Sequence, residues 1–80
     1  SALDTLTTSQ VLDLLGRINR ELGVTIVLIT HSLAVARRIC NHVVVMDHGH
    51  VVEQGTAEEI FSNPQADVTR ALLQFEGEGR

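Results

Sequence analysis

The side chains with the richest chemistry in this 80-residue chain are four histidines and one cysteine. His31 stands out because it closes the most apolar run, "VTIVLITHS", Val24 to Ser32. An imidazole can donate, accept or carry a proton near neutral pH. If the apolar run is a strand, His31 sits at its carboxyl end, where open α/β sheets bind their ligands. Position alone leaves two readings open: a ligand-facing ring, or a ring that caps the next helix or bonds a carbonyl.

The other candidates are weaker. His48 and His50 flank Gly49 in a turn, and together with His42 and Cys40 they lack the ligand spacing of a structural zinc site. They read as turn histidines, and no metal site is expected. Cys40 lies on the apolar side of a helix end and reads as a small core residue rather than a nucleophile. Arg37 and Arg38 read as a solvated face. Asp4 precedes a helix and is suited to capping its first turn.

These residues need elements to hold them. Val11, Leu15, Ile18 and Leu22 recur at helical spacing, Thr7 and Gln10 have capping-box spacing, and Gly23 suits a C-terminal cap, which together predict a helix over 8–22. The run from Val24 to Ile29 does not alternate, is rich in β-branched residues and is short. That pattern predicts a strand buried on both faces, as in a parallel sheet covered by helices. Ser32 to Cys40 then carries a broad apolar helical face.

"HVVVMDHGHVVEQG" predicts a hairpin, with strands at 43–46 and 51–53 around Asp47 and Gly49. Thr56 and Glu59 repeat the capping-box spacing before a short helix that Asn63-Pro64 ends. A last helix is expected over 68–75, and residues 76–80 read as a flexible tail. The expected fold is α/β: part of a sheet with one buried parallel strand and its helices, plus a β-hairpin and C-terminal helices. A buried parallel strand needs neighbours, so the upstream half of the domain is expected to lie outside these residues.

Composition narrows the function. Apolar residues make up 44% and charged ones 20%, which is globular rather than disordered. A net charge of −4, with only Phe61 and Phe75 as aromatics, argues against nucleic acid, which draws on basic patches and stacking rings. One cysteine makes no internal disulfide, and no run approaches the roughly 20 apolar residues of a membrane helix. A cytosolic, soluble protein is expected. The start at Ser1 rather than Met fits a truncated or processed chain.

"SALD" at Ser1 to Asp4, a helix, a β-branched strand, "THS" at Thr30 to Ser32 and then "VVVMDHGHVVEQGTAEEIF" resemble the C-terminal part of the ATP-binding-cassette ATPases. In that family Ser1, Ala2, Leu3 and Asp4 look like the D-loop at the interface of two cassettes, and His31, 27 positions after Asp4, looks like the H-loop switch histidine. The resemblance implies one partial P-loop NTPase-type domain over 1–80, with D-loop 1–4 and H-loop 30–32. It also implies a role for His31, as a donor to the γ-phosphate of ATP that orients the attacking water. The strand would be the stiff mount that positions it.

Departures from the pattern are plain. Thr5 stands where many relatives have proline, and the phosphate loop, signature motif, Q-loop and glutamate base do not occur. These residues alone are therefore not expected to hydrolyse ATP. The tail "EQGTAEEIFSNPQADVTRALL" resembles importer ATPases for peptide, nickel and methionine, although Ala66-Asp67-Val68 replaces the His-Pro-Tyr of the peptide and nickel members; "RRICNHVVVM" leans toward the methionine group.

From that resemblance follow ATP and Mg2+ as cofactors, with their ligands mostly upstream. The implied partners are a second ATPase subunit in a homodimer, membrane permease subunits and, through them, a substrate-binding protein. The implied location is the cytoplasmic face of the plasma membrane. Two other classes remain as alternatives: a non-transport cassette ATPase, and an interaction fragment that never binds nucleotide.

Overall fold

A computed structural model describes residues 5–78, with side chains over 6–75. The first helix, α1, covers Thr5–Leu22. Thr7 therefore lies inside it rather than at its cap, because the helix is already formed at Thr5. The buried stripe also differs from the expected one: Leu12 is buried and Leu15 and Ile18 are half-buried, while Val11 and Leu22 are exposed. Gly23 ends the helix as expected. Its φ of 67° is the left-handed region open to glycine, and its N–H donates to Asn19 O at 3.1 Å.

Residues 23–30 take no regular secondary structure. The buried strand expected over Val24–Ile29 is thus not formed among the described residues, and Val27 and Ile29 are 86% and 95% exposed. The reason is a missing neighbour. A parallel strand needs hydrogen-bonding partners on its edges, and the two strands that do form pair with each other.

Helix α2, Leu33–Ile39, follows, and its last turn carries Arg37 and Arg38. Strands β1, His42–Asp47, and β2, His50–Thr56, make an antiparallel hairpin with a bulge between Val45 and Met46. Asp47 pairs with His50, so the loop is the two residues His48 and Gly49, with φ of 51° and 79°. Two positive φ values in a two-residue loop match the twist of the flanking strands. The architecture is α+β, a two-stranded hairpin with helices.

Thr56 caps helix α3, Ala57–Ser62, in a reciprocal box: its Oγ1 accepts from Glu59 N at 3.1 Å, and Glu59 Oε1 accepts from Thr56 N at 3.0 Å. Helix α4 spans Asp67–Glu78, three residues beyond the expected end. The core is small. Val43 and Val45 point inward from β1 onto Ile60, which is 1% exposed, with Cys40, Ala57, Phe61 and Val68 packed around them. Burying an aliphatic side chain of this size stabilises by roughly 1.5–3 kcal/mol, so this cluster is the main apolar anchor of the C-terminal half.

Candidate functional site

His31 sits at the bend between the extended segment 23–30 and α2, and it is exposed. Two hydrogen bonds shape the bend around it. Ser32 N donates to Thr30 Oγ1 at 3.0 Å, reaching across His31, and Val35 N donates to Ser32 Oγ at 3.3 Å, which caps α2. Ser and Thr hydroxyls form such local turns readily. The cap of α2 is therefore Ser32, and the reading in which His31 serves as that cap is removed. Among the described residues the His31 ring makes no hydrogen bond or ion pair, so its nitrogens are available to something else.

Ser1, Ala2, Leu3 and Asp4, which the resemblance reads as a D-loop, lie outside the described residues. Their position relative to His31 is untouched by the geometry below. The other sequence candidates separate in space and in role. Cys40 is half-buried against the hairpin core, as expected for a packing residue. His48 lies exposed in the turn with Nδ1 3.0 Å from Asp47 Oδ1, and His42 Nε2 is 3.4 Å from Gln54 Oε1. No group of three His, Cys, Asp or Glu that could hold a metal occurs among the described residues.

Arg37 and Arg38 are more engaged than a solvated face implies. The Arg37 guanidinium lies 4.7 Å from the centroid of the Phe61 ring, joining α2 to α3. Arg38 Nη2 is 2.7 Å from Asp13 Oδ1, joining α2 to α1. Sequence spacing carries no signal for either pair, since the partners lie far apart along the chain. A cleft of about 660 Å3 opens between α1, residues 25–28 and the end of α2, with Arg20, Thr25, Ile26 and His42 on its walls. His31 is not among its lining residues, so the cleft and the candidate donor are separate features.

Glu53 is a structural residue that the sequence pattern did not single out for any role. From β2 its Oε2 accepts from Gln65 N at 2.7 Å and its Oε1 from Ala66 N at 3.0 Å. Its carboxyl is held below the ordinary value of about 4.5, first by the Ala66 N–H, then by the nearby Thr69 hydroxyl and the Gln65 N–H, with Arg70 adding its charge and burial opposing. Thr69 is fully buried, and its Oγ1 makes no hydrogen bond of regular geometry, so its influence on Glu53 is one of proximity.

Along the chain an apolar segment leads into the Thr30-His31-Ser32 bend, and a capped hairpin-helix unit follows α2. No family model matches the chain. Comparison with curated proteins returns relatives named as methionine import ATP-binding proteins. It is similar to the methionine import ATP-binding protein MetN of Caulobacter vibrioides, 54% identical over 79 residues, which is 99% of this chain and 24% of that protein. The MetN of Pasteurella multocida is 53% identical over 74 residues, and MetN 3 of Bacillus cereus 55% over 74 residues; each alignment covers 92% of this chain and 22% of the relative. The chain thus spans about a quarter of the length of these relatives.

Proposed function

We propose that this chain is part of the ATP-hydrolysing subunit of a methionine importer, with His31 as the hydrogen-bond donor to the γ-phosphate. The observation that carries the reading is identity above 50% across nearly the whole chain to proteins named for ATP binding and methionine import. The unpartnered imidazole at a bend closed on both sides by Thr30 and Ser32 fits such a donor. During transfer to water, negative charge builds on the γ-phosphate oxygens, and a donor held in place stabilises that charge without having to reorganise. His31 would also orient the attacking water. Ser1 to Asp4 would meet a second cassette and couple the state of one site to the other.

Mg2+ would balance phosphate charge, with its ligands mostly upstream of these residues. In the whole protein, residues 24–29 would pair as an interior strand of a P-loop-type sheet, which gives their apolar, β-branched sequence its purpose. That sheet would mount His31 rigidly. The partners would be a second copy of the subunit, membrane permease subunits and, through them, a substrate-binding protein, at the cytoplasmic face of the plasma membrane. No helix among the described residues is long and apolar enough to cross a membrane.

The test is uptake of labelled methionine by vesicles holding the whole protein with its permease. ATP-dependent uptake is expected. ATP hydrolysis with no transport of any solute would favour a non-transport cassette ATPase, and failure to bind ATP would favour a nucleotide-independent module.

A further inference from the structure

The turn between α3 and α4, residues 63–66, is held from both of its polar sides by residues outside it. On the donor side, the Glu53 carboxylate of β2 takes the N–H groups of Gln65 and Ala66 at 2.7 and 3.0 Å. On the acceptor side, Arg70 Nη1 donates to Pro64 O at 3.1 Å and Gln65 O at 2.9 Å, while Arg70 Nη2 pairs with Asp67. Ala66 occupies the N-cap position of α4, because its carbonyl accepts from Arg70 N at 3.1 Å. An alanine there has no side chain with which to cap, so the usual local device is missing. The carboxylate that engages this entry turn comes instead from a strand twelve residues earlier.

We propose that Glu53 is a latch that fastens α4 to the hairpin, so that α4 undocks as a unit when the carboxylate is lost while the hairpin and α3 stay folded. The separation is built into the packing. The core anchors of the hairpin, Val43, Val45 and Ile60, lie on β1 and α3; from α4 the half-buried Val68 packs against them, Thr69 is buried, and the helix also touches α2. Thr69 brings a buried hydroxyl without a regular partner, so its burial contributes less to docking than an apolar side chain of that size would. Docking of α4 thus leans on the polar bonds at its entry more than a well-packed helix would.

Hydrogen exchange read by mass spectrometry on the whole protein tests the latch, comparing peptides over 64–73 with peptides over 43–47 and 57–62. Glu53→Ala is expected to speed exchange over 64–73 by about ten-fold or more, with less than two-fold change over β1 and α3. Glu53→Gln, which keeps the shape and one acceptor, should fall between it and wild type. Gln54→Ala, on the opposite face of the same strand, should change neither region. Unchanged exchange over 64–73 in Glu53→Ala overturns the latch. So does an equal rise across β1, α3 and α4, which would make Glu53 an ordinary contributor to global stability.

Discussion

Ile29→Ala in the whole protein is the sharpest perturbation of the proposed sheet. In the structure described here Ile29 is 95% exposed, and truncating a side chain already in water changes stability by no more than about 0.5 kcal/mol. If residues 24–29 become an interior strand, the same truncation removes buried methyl and methylene groups and leaves a cavity, at a cost of about 2–5 kcal/mol. Ile60 supplies the calibration, because it is 1% exposed and Ile60→Ala should fall in that same range whatever surrounds the segment. Urea denaturation of both variants, compared by midpoint at unchanged slope, gives the two costs on one scale. Similar losses support the interior strand. A loss below about 0.5 kcal/mol for Ile29→Ala beside a full loss for Ile60→Ala would refute it.

Further predictions concern the hairpin and its helices. Thr56→Ala should lower stability by about 1 kcal/mol in urea melts, whereas Thr56→Ser should preserve it, because the box depends on the hydroxyl. Gly55→Ala would set a Cβ 2.8 Å from Glu59 Oε1, so its penalty should shrink once Glu59 is also alanine, a coupling that a double-mutant cycle reads. His48→Asn should raise stability by roughly 0.5–1 kcal/mol, since asparagine tolerates positive φ and the exposed pair with Asp47 contributes little; an unchanged or lower melting temperature would contradict this. The folded Glu53 carboxyl titrates below about 4.5, so its stabilising contribution is present above that pH and is lost as pH falls through the lower folded value. Wild type should therefore lose more stability on acidification than Glu53→Gln, and parallel pH profiles would count against it.

Local signals in the sequence carried over well where the structure depends on neighbours in the chain. The hairpin, the Thr56–Glu59 box and the Gly23 cap all close within a few residues and formed as read. Helix α1 begins at Thr5 rather than at residue 8, because the capping-box spacing at Thr7 and Gln10 also fits inside a helix. The strand over 24–29 is not formed among the described residues for the opposite reason: a strand of that apolar pattern depends on edge partners, and the two strands present pair with each other. Arg38 with Asp13 and Glu53 with the α4 entry were illegible, since both join positions whose adjacency only the fold creates. At the candidate site, the sequence points to His31 and leaves its local role open, and the Ser32 cap removes only the helix-capping part of the second reading.

The account turns on His31 as the group that meets the terminal phosphate. The most direct measurement is ATP binding and single-turnover hydrolysis by the whole protein carrying His31→Ala. Nucleotide affinity within about two-fold of wild type together with hydrolysis slowed by about ten-fold or more is the expected result, since a donor acting on the transition state is lost while ground-state binding is kept. Hydrolysis at the wild-type rate would contradict the assignment.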